Sequence, residues 1–490
     1  MKLLTVPATP TKSDRVLFGT LAFIVVAAVA LAAATVGLAI LLLPFALLFF
    51  AFLVFVARRP VAAAYVFLAT QPFIGGIDRG VLIPLVRPSE ALQGVLVAAV
   101  LGGVLVRAAR GERLSVRITR LDRSVILLCA LASVWPLFWM LARARIPSST
   151  DLFDTIVLWR LAALYVLFRW VVRTPEQVRR CLWILLVSAS LLSLLAILDS
   201  LGIWKPGGPW TPVVLDNTTG RGGATLGSSI AVGDYLSYTF AIVLVWLLRH
   251  KDHRRLIIAI AGLVFLGILG TGQFSAWIEA FIVVLVIAHH EGQIRRLAKW
   301  LGPVAVLGAL VAWPVIATRL SGFGGGSWLP QSWQVRVDNL TTFYLPQLAG
   351  FHWVLGIRPN TVLPAPETYR DVIYLESGYL WFFWVGGIPL VCAFLWFLKR
   401  GFAHTKRVAD QRAGDDIGVA ALATRAALWC LLFLTLTDSH LTLRGGGDLF
   451  FCLLGLSANL IVPPGQPRAR DSLEPLAEVP QPWVRQASGP

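Results

Sequence analysis

The sequence predicts an all-α polytopic membrane protein, and three observations carry that prediction. The 490 residues are 57% hydrophobic and only 14% charged, whereas a soluble domain is nearer half apolar and a quarter charged. Apolar runs of about 18 or more residues recur along the whole chain, each long enough to cross a bilayer. The 43 Lys and Arg residues cluster in short loops between these runs, at Arg58-Arg59, Arg107 to Arg123, Arg173 to Arg180, Arg249 to Arg255, Arg295 to Lys299 and Lys399 to Arg412. That distribution is the sequence form of the positive-inside rule, so the net charge of +17 reads as topology and not as a nucleic-acid partner. A β-barrel would show alternating segments of about ten residues, and none occur.

Taken in order, the spans fall near 16–34, 37–56, 61–77, 89–106, 124–142, 156–172, 181–199, 229–248, 256–270, 273–289, 301–317, 378–398, 418–437 and 446–462. This gives about 14 transmembrane helices with both termini inside, and the charge alternation holds at every loop. Residues 1–15 form a polar cytoplasmic N-terminus without a small-residue cleavage pattern, so the first span is expected to be retained. Residues 16–317 form a bundle of about 11 spans, with breaks placed at Thr35–Gly37 and at Gly270–Gln273. Residues 318–377 form the longest connection, rich in Gly, Pro, Trp and Tyr; long loops of this kind are usually functional, and its aromatic content predicts a folded, partly helical cap. Residues 378–462 supply the last three spans, and the Pro-, Ala- and Glu-rich tail 463–490 is expected to be disordered and cytoplasmic.

The chemistry starts with exclusions. No phosphate-binding loop and no dinucleotide fingerprint occur, and no His, Cys, Asp or Glu group has metal spacing, so neither cofactor nor metal is expected. The five cysteines lie within or at the ends of apolar runs and read as small core residues. Asp415-Asp416 reads as solvated charge. His250, His253, His289, His290 and His404 sit among inner basic loops, while His352 and His440 are outside, either catalytic or plain loop residues.

Positive residues are disfavoured on the outer side, so arginines there need a reason. Arg221 sits in "NTTGRGGATLGSS", where flanking glycines let the backbone approach a ligand closely. Arg336 follows "WLPQSWQV", Arg358 sits in "LGIRPN", and Arg370 lies six residues before Glu376. Guanidinium groups grip phosphate bidentately and stay charged, so converging outer arginines suit a lipid diphosphate; the competing reading pairs them with Asp338, Glu367 and Asp371. Arg160 lies inside a span near its outer end, where an ionisable residue needs a partner or a cavity. Asp234 and Glu279 are also intramembrane, and stand as partners for Arg160 or another arginine, or as proton carriers in a transporter. Glu376 marks the boundary in "DVIYLESGYLWFFWVGGIPL", either as a general base or as a carboxylate favoured by the helix N-terminus.

Four stretches resemble the O-antigen ligase and polysaccharide polymerase (Wzy/WaaL-like) superfamily of bacterial envelope glycosyltransferases, over roughly residues 120–400: "LYVLFRWVVRTPEQVRRCLWILLVSASLLSLLAILDSLG", "GRGGATLGSSIAVGDYL", "LGTGQFSAWIEA", and "RVDNLTTFYLPQLAGFHWVLGIRPN" followed by "ESGYLWFFWVGGIPL". The resemblance rests on their order, spacing and topology. It implies a GT-C-like helical fold in the bacterial cytoplasmic (inner) membrane, with the active site on the extracytoplasmic side. It further implies an undecaprenyl-diphosphate-linked glycan donor and acceptor, and metal-independent transfer with inversion. Membrane lipids and other polysaccharide assembly proteins are the further partners it implies. Arg221 falls at the family's diphosphate-contacting arginine, and Arg336 matches a loop arginine more loosely. Two departures stand out. Glu376 takes the place where ligases usually carry His, which favours a polymerase, and Gln273-Phe274 replaces a Ser-Arg pair, whose role would pass to another residue such as Arg160.

The expected reaction is extracytoplasmic polymerisation of undecaprenyl-diphosphate-linked repeat units into a surface polysaccharide. Arg221, Arg336, Arg358, Arg370 and Arg160 would hold the diphosphate leaving group, where preorganised charge acts most strongly. Glu376 would take the proton of the attacking hydroxyl, if a partly apolar setting raises its pKa. The alternatives are ligase-type transfer to a lipid or other envelope acceptor, and a secondary transporter or flippase, although the internal repeats of transporters are not evident.

Overall fold

The computed structural model describes residues 39–83, 86–111, 118–210, 221–249, 253–295, scattered positions between 299 and 317, 331–365 and 372–459. The expected span 16–34, the break at Thr35–Gly37, the tail 463–490 and Arg370 lie outside the described residues. The chain divides into two units, residues 1–54 with 460–490, and residues 55–459; apart from most of the first helix, the second contains everything discussed below.

Apolar runs become helices because a backbone in hydrocarbon must satisfy its own hydrogen bonds. In chain order the helices are α1 (Ala39–Arg58), α2 (Val61–Ile74), α3 (Pro88–Ala109), α4 (Arg120–Ala142), α5 (Ser149–Val171), α6 (Pro175–Ser200), α7 (Ser229–Arg249), α8 (Arg254–Gly270), α9 (Phe274–His290), α10 (Gln331–Asn339), the single turn α11 (His352–Leu355), α12 (Gly378–Gln411), α13 (Asp416–Leu434) and α14 (Gly446–Ser457). Among the described residues, α3, α4, α6, α7, α12 and α13 are long and apolar enough to cross a membrane, and α2, α9 and α14 are shorter apolar helices. The break between α8 and α9 falls where the sequence predicts it.

Burial sorts the helices into layers. α7 is buried along nearly all of its most apolar stretch, and α13 is close behind, as expected of helices that are mostly apolar on every side. α3 and α4 expose one apolar side, with Leu101, Leu105, Val134 and Phe138 open, which is the side a lipid chain would cover. α7 packs on α8, α9 and α13, while α14 sits against α5 and α13, and α12 against α4 and α13. Small residues let these helices approach: a Cβ at Gly455 would fall 2.7 Å from the Tyr165 carbonyl oxygen, and one at Gly233 would fall 2.5 Å from the Ala276 Cβ. A buried set ties α4 to α5, where Arg169 pairs with Asp122 and Tyr165 donates to the same carboxylate at 2.6 Å.

Three expectations are corrected by this architecture. The twelfth span is not a helix ending at 398: α12 continues to Gln411 and breaks its regularity at Gly387, at φ 61° and ψ −156°. A Cβ there would fall 2.2 Å from the Val354 carbonyl oxygen, so both the backbone angle and the space require glycine. Gly387→Ala is therefore expected to destabilise the protein by about 2 kcal/mol or more; an unchanged melting temperature in detergent would contradict the kink. Asp415 and Asp416 are not solvated charge. Asp415 accepts from the Ile417 and Gly418 amides and so caps α13, and Asp416 is buried between Arg179 at 2.7 Å and Trp246 at 3.1 Å. The last apolar helix ends at Ser457, short of the expected 462.

The long connection is folded where it is described. α10 runs into a π-turn at Leu340–Tyr344 and a 3₁₀ turn at Leu345–Leu348. Leu363–Pro364 and Val372–Ile373 pair as a short antiparallel ladder, β1 and β2. Tyr344 is wholly buried and its hydroxyl lies 2.8 Å from both the Thr361 and Ile373 carbonyl oxygens, sharing its proton between them. Such anchors hold the segment against the start of α12, where Trp384 donates to the Asn360 carbonyl oxygen.

Candidate functional site

One short connection organises the charged end of the bundle. The stretch "DSHLTLRGGGD", Asp438 to Asp448, links α13 to α14, and four of its side chains each reach a different element. Asp438 meets Arg336 of α10 at 3.8 Å. His440 meets Asp234 of α7 at 3.0 Å. Arg444 meets Asp78, just beyond α2, at 2.6 Å. Asp448 meets Arg160 of α5 at 2.8 Å. Asp438 and Arg444 are six residues apart, so their Cα atoms lie within about 20 Å of one another.

The first group contains the residue pair that matters most for chemistry. Arg336 Nε lies 3.0 Å from Glu376 Oε2, and Arg336 Nη1 donates to the Thr437 carbonyl oxygen at 3.2 Å. Glu376 sits two residues before α12, whose first turn is tied to α13 by Gly378 N–H donating to the Thr435 carbonyl oxygen at 2.8 Å. The side chains of Arg336 and Glu376 are 22% and 31% exposed, open enough for a ligand to reach both. Tyr344 lies beside them: burial raises its phenol, Glu376 adds to the rise and Arg358 opposes it, so Arg358 belongs to the same neighbourhood. Arg358 itself donates to the Val362 carbonyl oxygen at 3.2 Å. The sequence expectation gave Glu376 a partly apolar setting; the structure gives it a guanidinium instead. Among the described residues, the acidic partners of Arg336 are Glu376 and Asp438 and not Asp338, while Glu367 and Asp371 lie outside the described residues.

Arg221 opens a clamped loop. Gly222 N–H donates to the Gly270 carbonyl oxygen at 3.0 Å, the Gly223 and Ala224 amides donate to the Asp199 carboxylate at 2.8 and 2.9 Å, and Thr225 Oγ1 donates to the Pro72 carbonyl oxygen at 2.8 Å. The loop is thus fixed to the ends of α2, α6 and α8, and Arg221 is half-buried at its start. The glycine at 222 serves helix packing and not ligand approach, since a Cβ there would fall 2.3 Å from the Ala196 carbonyl oxygen.

Arg160 corrects an expectation. It pairs with neither Asp234 nor Glu279 but with Asp448, which also accepts from Gln71 Nε2 at 3.0 Å and from the Gly445 amide at 3.1 Å. Its guanidinium is 14% exposed and committed to this pair, which caps α14 and locks it to α2 and α5. The replacement Gln273 donates to Ser229 Oγ at 2.5 Å, bridging α9 and α7. His440 is corrected as well, since it is fully buried and out of reach of a substrate. His352 opens the single turn α11, and its Nδ1 lies 2.8 Å from the Gln347 carbonyl oxygen.

The structure adds charged residues that the sequence reading passed over. Arg79 pairs with Glu90 at 3.2 Å, and Arg87 with the same carboxylate at 3.4 Å and with Asp78 at 3.9 Å. Burial, with Arg444 and Arg79 close by, lowers the Arg87 guanidinium to about 10, so it stays charged at neutral pH. On the topology the sequence predicts, these arginines fall in short connections on the side where positive charge is disfavoured, which is the signal that could have found them. No protein-family model and no curated protein matches the chain. What fold and site define is a class: a helical, membrane-embedded protein with a charged, loop-covered end of its bundle.

Proposed function

We propose that the chain is a GT-C-like glycosyltransferase of the bacterial cytoplasmic membrane, with about 14 spans and its charged end on the extracytoplasmic side. It polymerises undecaprenyl-diphosphate-linked oligosaccharide repeat units, by inverting transfer that needs no metal at the reacting atoms. The observation that carries this reading is the half-open Arg336–Glu376 pair, formed between the long connection and the start of α12. A phosphate-binding group and a carboxylate base stand there side by side.

The mechanism follows from that adjacency. Arg336 satisfies Glu376 while no donor is bound. A diphosphate offers Arg336 a bidentate, doubly charged partner and competes for it. As Arg336 turns to the leaving group, Glu376 is released to accept the proton of the incoming sugar hydroxyl. That hydroxyl attacks the anomeric carbon, the bond to the diphosphate oxygen breaks, and Arg336, Arg358 and Arg221 stabilise the charge that develops there. Arg370 is proposed for the same role from the sequence alone. Arg160 is withdrawn from it, since Asp448 occupies its guanidinium.

The test is direct. Purified protein is incubated with an undecaprenyl-diphosphate oligosaccharide, and the products are resolved by size. A ladder of products supports the polymerase, a single shift on an added lipid acceptor supports ligase-type transfer, and substrate movement across a vesicle without chemistry would overturn the enzyme reading.

A further inference from the structure

Below the 435–445 connection lies a cluster that the proposed transfer does not use. Asp234 of α7, Glu279 of α9 and His440 are 1%, 0% and 0% exposed. His440 Nδ1 lies 3.0 and 3.1 Å from the two Asp234 oxygens and 3.7 Å from Glu279 Oε1. One ligand atom of each residue lies within 4.8 Å of the others. Glu279 faces the Asp234 carboxyl and the Ser237 hydroxyl, and among the described residues His440 Nε2 has no hydrogen-bond partner. The buried hydroxyls of Tyr235 and Tyr238, close to Asp234 on α7, are also without one among the described residues.

With both carboxyls ionised, the charge does not close within the protein. Among the described residues, His440 is the one basic side chain within ion-pair distance of either acid. Even as imidazolium it leaves one carboxylate uncompensated, and an uncompensated buried charge costs several kcal/mol. A divalent cation with a neutral imidazole brings the set to zero. One Asp234 oxygen, Glu279 Oε1 and His440 Nδ1 form a three-atom donor set of oxygen and nitrogen suited to a first-row divalent metal, and a bidentate Asp234 would supply the fourth donor of a closed site.

We propose that Asp234, Glu279 and His440 bind one divalent cation, of the Zn²⁺ class, that staples the 435–445 connection to α7 and α9. The site is buried, so the ion does not touch a substrate and its role is structural. A Cβ at Gly446 would fall 2.5 Å from the Asp234 Cβ, so α14 begins directly on a ligand. Asp438 and Arg444 flank His440 on the same connection, and the ion would therefore fix the positions of both. This inference does not rest on the transfer activity.

The experiment uses the tag-free full chain in detergent. It is incubated separately with Zn²⁺, Mn²⁺ and Co²⁺, freed of excess metal, and assayed by elemental analysis and by melting with and without chelator. About one ion per chain is expected with at least one of these metals, together with a lower melting temperature in chelator. Glu279→Gln and Asp234→Asn should retain less than a tenth of that metal and lose the response to chelator. If a variant fails to fold, the metal content and chelator response of the unaltered protein still decide. The proposal is overturned if the unaltered protein binds no stoichiometric metal. It is equally overturned if folded variants bind as much as the parent, or if Glu279→Gln melts higher than a parent indifferent to chelator, the result a protonated cluster would give.

Discussion

Glu376→Gln is expected to lower glycosyl transfer by about 10²–10⁴-fold, the range a positioned general base contributes, while leaving the protein folded. The amide keeps the shape of the carboxylate but cannot accept the proton of the incoming hydroxyl. Loss of the ion pair with Arg336 should matter little to stability, because both side chains are partly open and such pairs are worth about 0–1 kcal/mol. Activity and stability therefore separate. Measured turnover on a lipid-linked oligosaccharide should collapse while the melting temperature moves by no more than a few degrees. Full activity in a folded variant would remove Glu376 from the chemistry.

Arg160→Met is expected to do the reverse. Asp448 is 2% exposed, and removing its partner leaves a buried carboxylate with only Gln71 and the Gly445 amide. Breaking a buried pair in this way costs about 3–5 kcal/mol, whereas replacing both partners by apolar residues is often neutral. The double variant Arg160→Met with Asp448→Leu should recover most of the melting temperature lost in the single variant. A single variant as stable as the parent would show that Arg160 does not hold the α5–α14 junction. Loss of activity with unchanged stability would return Arg160 to the substrate.

The layout of helices was legible because hydropathy and positive charge both act locally. The α8–α9 break is visible in "GTGQ". The kink at Gly387 was not read, since its cause is the Val354 carbonyl oxygen, contributed by a connection whose path the sequence does not reveal. The candidate site was half legible. Arg221, Arg336 and Arg358 were singled out by asking why positive charge persists on the side the sequence predicts as unfavoured, and Glu376 by its place at the entry to an apolar run. The same question, put to Arg79, Arg87 and Arg444, would have found those too. What stayed hidden are pairings across great sequence separation: Gln71 with Asp448 at 377 residues, and Asp234 with His440 at 206. Nothing in the local spacing of "DSHLTLRGGGD" marks its four ionisable side chains as anchors to four separate elements.

The central claim is that a donor diphosphate competes with Glu376 for Arg336. Its most direct test is the affinity for undecaprenyl diphosphate of the parent, Arg336→Ala and Glu376→Gln, measured side by side in the same detergent. Arg336→Ala should bind at least about tenfold more weakly, a bidentate charge-assisted contact being worth 1.4 kcal/mol or more. Glu376→Gln should bind as tightly as the parent or more tightly, because the competing carboxylate is gone. Equal weakening in both variants, or no change in either, would contradict the account.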